Sequence, residues 1–105
     1  MTDNLTIIIP TYNEELVIEQ TIRELNVNYN IKNIIVVDGG SNDSTLEIVK
    51  KLNTKFIDIG YRSGYGDAFI RGLNETSTEY LCKINADGSF DPVYLKKMLS
   101  IIVNN

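Results

Sequence analysis

Four short clusters in this 105-residue chain hold the groups best able to do chemistry: Pro10-Thr-Tyr12-Asn-Glu14, Asp38-Gly-Gly-Ser-Asn-Asp43, Arg62-Ser-Gly64-Tyr-Gly66-Asp-Ala68 and Asn85-Ala-Asp87-Gly-Ser89. They offer carboxylates, amides, hydroxyls, a guanidinium and glycine-exposed backbone N–H groups. The chain has no histidine, which removes a Ser-His-Asp triad, a Cys-His dyad and a His-ligated zinc site. Its one cysteine, Cys82, can make neither an internal disulfide nor a thiolate cluster. Whatever chemistry exists must use the groups named above, or a hard metal bound through oxygen.

Common phosphate motifs do not fit. Gly64-Tyr-Gly66 is not a dinucleotide fingerprint, because Phe69 stands at the third glycine position and the motif follows the third strand rather than the first. No Gly-x-x-x-x-Gly-Lys-Ser/Thr is present, so a P-loop is excluded. A phosphoacceptor receiver domain would need an acidic cluster after the first strand, where this chain has Tyr-Asn-Glu following a proline.

The elements that must position these clusters alternate in type. Leu5–Pro10 is a β-branched apolar run that reads as a buried strand ending at the proline. Asn13 is placed to cap a helix carrying Val17, Ile18, Ile22 and Leu25. Ile34–Val37 reads as a second strand, and Ser44 with Glu47 has capping-box spacing for a helix whose face is Leu46, Val49 and Leu52. Lys55–Ile59 predicts a third strand, Asp67–Leu73 a helix with Ala68 as a close-packing position, and Tyr80–Ile84 a fourth strand. Asp91 as N-cap and Pro92 at the first helical position open a last helix bearing Leu95, Met98, Leu99 and Ile102. This order predicts one α/β domain: a Rossmann-like parallel sheet with helices on both faces. Ligands of such sheets bind beyond the carboxyl ends of the strands. All four clusters fall there.

Taken in order, Pro10-Thr-Tyr-Asn-Glu14, Val37-Asp-Gly-Gly-Ser41 with Asp43-Ser-Thr45, Gly64-Tyr-Gly66 with Ala68 and Gly72, Asn85-Ala-Asp87 and Asp91-Pro92 resemble the family 2 glycosyltransferases. The likeness is greatest to the branch of polyprenyl-phosphate (dolichol-phosphate) mannosyl- and glucosyltransferases, and it runs from Leu5 to Met98. It implies the N-terminal half of a GT-A fold that binds a nucleoside-diphosphate sugar. On that resemblance Pro10 belongs to the nucleotide-sugar site, Tyr12 offers its ring to the nucleobase, and Glu14 and Asp38 accept hydrogen bonds from base or ribose. Arg62, Gly64 and Gly66 face the pyrophosphate at a helix N-terminus. Asn85-Ala-Asp87 stands where the family has Asp-x-Asp, so Asp87, Asn85 and Ser89 are the implied ligands of Mg²⁺ or Mn²⁺. Asn85 replaces an acid, which predicts weak metal binding, and Gly39 departs from the family's usual second acid.

The formal charge of −4 argues against nucleic acid as a partner. Neither a targeting signal nor an apolar run of membrane-spanning length is visible, so a cytoplasmic location is expected, peripheral to the membrane if the acceptor is a lipid phosphate. The motifs end early relative to the family, without an acceptor half or a clear catalytic base. The expected function is hexosyl transfer, with a polyprenyl phosphate as candidate acceptor. The alternative is a non-catalytic nucleotide-sugar-binding or interaction module. An uncovered sheet edge further predicts a homo-oligomer or a partner chain.

Overall fold

A computed structural model describes residues 2–90 and 92–103. After a short 3₁₀ turn at Thr2–Asn4 come β1 (Leu5–Thr11), α1 (Ile18–Asn28), β2 (Asn33–Asp38) and α2 (Thr45–Lys51). They are followed by β3 (Lys55–Asp58), α3 (Tyr65–Asn74), β4 (Tyr80–Lys83) and α4 (Pro92–Val103). The four strands form one parallel sheet in the order β3-β2-β1-β4. Right-handed crossovers account for the layering. The chain steps from β1 to β2 to β3 with α1 and α2 on one face, then reverses through α3 on the other face to reach β4.

Side-chain alternation along β1 separates two cores. Leu5, Ile7 and Ile9 join Ile34 and Val36 of β2 against Ile18, Ile22 and Leu25 of α1, Val49 of α2 and Leu95 of α4. Ile8 faces the opposite way with Ile35 and Val37, under Ala68 of α3. Ile7, Ile8 and Ile9 are each fully buried, and each contributes about 1.5–3 kcal/mol of transfer free energy. The smaller core allows a close approach. A Cβ on Gly72 would lie 2.6 Å from Ile8 Cδ1, so glycine is what lets α3 settle on β1. Thr6, on the same face, is buried because its hydroxyl is satisfied by Thr76 and Thr78, both at 2.7 Å.

Several element boundaries differ from expectation. Asn13 does not cap α1, which begins at Ile18. Its backbone is left-handed (φ 54°), and its side-chain oxygen instead accepts a hydrogen bond from Asn42 N at 2.9 Å. The Ser44–Glu47 capping box does not form, since Ser44 makes no side-chain cap bond. Asp43 takes that place, its Oδ1 accepting from the N–H and hydroxyl of Thr45. The core-facing stripe of α2 is Thr45, Ile48, Val49 and Leu52, with Leu46 half-buried. α3 starts two residues earlier than expected, at Tyr65. α4 does begin at Pro92, while its expected cap Asp91 and the Ile102 side chain lie outside the described residues.

Candidate donor-nucleotide site

Because every strand is parallel, the four polar clusters meet at one end of the sheet. The first two are fastened to each other. Asp38, fully buried at the end of β2, accepts from Thr11 Oγ1 (2.7 Å) and Ser41 Oγ (2.6 Å) with one oxygen. Its other oxygen accepts from Gly40 N (3.1 Å) and Ser41 N (2.8 Å). Asn13 N donates to Ser41 Oγ, Glu14 N to Thr45 Oγ1, Glu15 N to Asp43, and Ser44 N back to the Glu15 carboxylate. Partial burial of Asp43 is outweighed by the Thr45 hydroxyl and N–H and by Glu15 N, which hold its carboxyl below the ordinary value. Gly40, at φ 83°, lies so close to the third loop that a Cβ there would be 2.8 Å from Gly60 O.

Beside this frame a cleft of about 150 Å³ opens on the α3 side. It is lined by Pro10, Thr11, Tyr12, Glu14, Val37 and Gly39 from the first two strand ends and by Ile59, Arg62, Ser63, Gly64, Tyr65 and Ala68 from the third loop and α3. The Arg62 guanidinium stacks over the Tyr12 ring, 4.6 Å from its centroid. Ser63 Oγ is buried without a well-formed hydrogen bond. It lies close enough to Asp67 that it, and then Arg71, hold that carboxyl below its ordinary value. The α3 N-terminus opens at Gly64 with no side-chain cap, so its first-turn N–H groups are available to an anion.

The fourth cluster is a separate turn. Gly88 N donates to Asn85 O at 3.0 Å, and Gly88 adopts φ 74°. Thr21 of α1 anchors this turn by donating to Ala86 O at 2.7 Å. Asn85, Asp87 and Ser89 are exposed. The Ser89 hydroxyl and N–H both donate to Asp87 Oδ1 and lower its pKa, leaving Oδ2 without such a donor. Across from it, burial first, and then the charges of Asp87 and Asp43, raise Glu14 above its ordinary value. A cation between Glu14 and Asp87 would relieve that repulsion.

The sequence profile of Glycosyl transferase family 2 matches residues 6–105. The chain belongs to glycosyl transferase family 2. Among its relatives, the family 2 chain is 35% identical to the UDP-N-acetylglucosamine–dolichyl-phosphate N-acetylglucosaminyltransferase of Methanococcus voltae. That match takes in 100% of this chain and 50% of the relative. It is 30% identical to the poly-beta-1,6-N-acetyl-D-glucosamine synthase of Staphylococcus epidermidis, over 89% of this chain and 24% of that one. The chain therefore spans from a quarter to half the length of these two relatives.

Solved structures bear out the fold. S. aureus TarS 1–349 superposes with a TM-score of 0.76 at 26% identity, over 95% of this chain and 32% of that one. The glucosyl-3-phosphoglycerate synthase of Mycobacterium tuberculosis in complex with UDP gives 0.66 at 27% identity, over 79% and 33%. The Pyrobaculum calidifontis mannosyltransferase solved with GDP-Man and Mn²⁺ gives 0.71 at 24% identity, over 80% and 27%, a likeness of fold. The architecture is that of the Rossmann-like GT-A glycosyltransferases, as expected.

Within the family 2 domain, Pro10, Tyr12, Glu14, Arg62 and Gly64 line one cleft. Asp38 does not line it: its carboxylate is committed to four bonds that build the loop beneath. Gly66 lies in the first turn of α3 with open space around it. Asn85, Asp87 and Ser89 stand outside the cleft lining, with Asp87 near enough for its charge to raise the pKa of Glu14. Sequence reasoning missed Ser63 and Tyr65 as lining residues. Their position inside the Arg62–Gly66 cluster was the available signal.

Proposed function

We propose that this chain supplies the nucleotide-sugar-binding half of a family 2 glycosyltransferase that moves a hexosyl group from a nucleoside-diphosphate sugar. The observation that carries the reading is the cleft at the carboxyl ends of the strands, whose lining brings together the stacked Tyr12 and Arg62 and the uncapped α3 N-terminus at Gly64. Tyr12 offers a ring to a nucleobase, and Glu14 offers acceptor oxygens to base or ribose. Gly64, which carries no Cβ, lets the backbone N–H groups of α3 come close to a diphosphate.

Asp87 Oδ2, the Asn85 amide oxygen and the Ser89 hydroxyl are oxygen donors of the kind Mg²⁺ or Mn²⁺ takes, and the charge of Asp87 is felt by Glu14. They suit a divalent ion, with one formal charge fewer than paired acids would give. Such an ion, when bound, offsets charge on the departing nucleotide. A polyprenyl phosphate at the membrane face is the proposed acceptor, supported by the dolichyl-phosphate relative. That step would place the chain at the cytoplasmic face of a membrane. β4, the strand at one edge of the sheet among the described residues, is the proposed seat of a second copy or a partner chain.

Calorimetric titration with UDP- and GDP-sugars, with and without Mn²⁺, tests the reading. Binding of at least one is expected, tightened by the ion; no binding of any would sink it. The Asn85 amide favours a second reading, a binding module without transfer. Donor binding with no hydrolysis or transfer would select that one.

A further inference from the structure

Beside the cleft, against its lining residue Tyr65, stands a second cation that the donor-site reading does not use. Lys83 is the last residue of β4 and pairs in register with Ile8, so it points to the face that α3 covers. Its stem reaches the start of α3, where the ammonium sits over the Tyr65 ring, 4.8 Å from the centroid. Tyr65 lines the cleft, as does Tyr12, which holds Arg62 in the same way. Two aromatic residues of the lining thus each carry a cation on the ring face, one from the third loop and one from the end of β4. Both cations are exposed, and neither is engaged in an ion pair among the described residues. Tyr65 is also the first residue of α3, whose N-terminus carries no side-chain cap.

The acidic side of the site is thin by comparison. Asn85 is neutral, and the described residues hold no group of three or more potential metal-ligating acids, cysteines or histidines. A diphosphate brings two or more negative charges into this cleft. Something must balance them.

We propose that Lys83, positioned by Tyr65, and Arg62, positioned by Tyr12, together hold the donor's diphosphate, so that the chain's own cations supply much of the neutralisation usually left to a metal. This rests on the donor-site reading and deepens it. A guanidinium suits bidentate contact with phosphate oxygens, while an ammonium acts as a point charge that can follow the phosphate. Holding each head group over a ring limits its motion and keeps it aimed at the cleft.

The test is binding of UDP and GDP in EDTA and in Mn²⁺, with uridine and guanosine as probes that lack the diphosphate. Measurable binding of at least one diphosphate in EDTA is expected, and Lys83→Gln should weaken it by on the order of tenfold while leaving the nucleoside unaffected. Lys83→Arg should stay within about threefold of the parent, since the charge is kept. Tyr65→Leu should fall between the two. Lys83 is exposed, so circular dichroism should show these variants folded alike. Diphosphate binding that depends wholly on Mn²⁺, or an EDTA affinity that Lys83→Gln leaves unchanged, overturns this proposal and leaves the donor site standing. If neither diphosphate binds with or without Mn²⁺, both fall.

Discussion

The two halves of the strand-end surface are built in different ways. The loops after β1 and β2 are cross-linked: Asp38 gathers four hydrogen bonds, and Asn13, Glu14, Glu15 and Ser44 connect one loop to the other through side chains. The segments that follow β3 and β4 are tied in mainly through backbone bonds at their first residues, Ile59 N to Asp38 O and Ile84 N to Ile8 O, with ring–cation contacts at Tyr12 and Tyr65 and the Thr21 bond to Ala86 O beyond them. The first pair forms a frame that needs no ligand. In the second pair, the exposed groups are those an anion or a cation would engage. A nucleobase would meet a prebuilt wall, and a diphosphate would meet groups still able to adjust. Ordering them on binding costs entropy, and this is the half in which affinity can be regulated.

Breaking the frame should have the largest effect. Asp38→Ala removes a buried acceptor and orphans Thr11 Oγ1, Ser41 Oγ and two backbone N–H groups. The expected loss is about 3 kcal/mol, read as a lower urea midpoint. Gly40→Ala comes next: φ 83° disfavours a side chain, and its Cβ would press on Gly60 O. A loss of about 2 kcal/mol is expected by the same measurement, and a midpoint equal to the parent's would show that the second and third loops are not in contact.

Asn13→Ala should cost about 1 kcal/mol, because it removes the acceptor for Asn42 N and places alanine at φ 54°. Asn13→Gly should cost less, since only the hydrogen bond goes. Equal losses would mean that the backbone conformation contributes nothing.

The looser half should respond in ionisation rather than in stability. Ser89→Ala is expected to change stability by less than about 0.5 kcal/mol while raising the Asp87 pKa, followed by NMR, because the Ser89 hydroxyl is the leading cause of its depression. Glu14 reports on where the halves meet. Its folded pKa is raised above 4.5, so the folded state holds the proton more tightly than the unfolded chain. Stability is therefore highest below pH 4.5 as far as Glu14 is concerned, and this contribution is lost as pH rises through the raised value. Asp87→Asn should bring the Glu14 pKa down, since Asp87 is the largest charge acting on it. An unchanged Glu14 titration would separate the two loops.

Periodicity was enough to place all eight elements, because apolar runs of strand length and helical spacing are local properties of the chain. It misplaced the starts of α1 and α3 and misassigned the side chain that caps α2, for a reason equally physical. Asn13 and Ser44 have cap-forming side chains, yet the hydrogen bonds that decide their roles come from residues 28 or more positions away, or from Asp43 next door. Spacing cannot see such a competition. Gly72 looked like a weakness in a helix and is instead a contact point with Ile8, 64 positions away along the chain.

The site divides along the same line. Residue types and their order along the chain put Pro10, Tyr12, Glu14, Arg62 and Gly64 at a common sheet end, because parallel strands leave their carboxyl ends together. Only the tertiary structure decided that Asp38 is spent on the loop beneath, that Lys83 meets the cleft residue Tyr65, and that the charge of Asp87 reaches Glu14. Those outcomes depend on which face each side chain takes and on which donor reaches it first. They are fixed by register and packing between distant segments, where a local pattern carries no information.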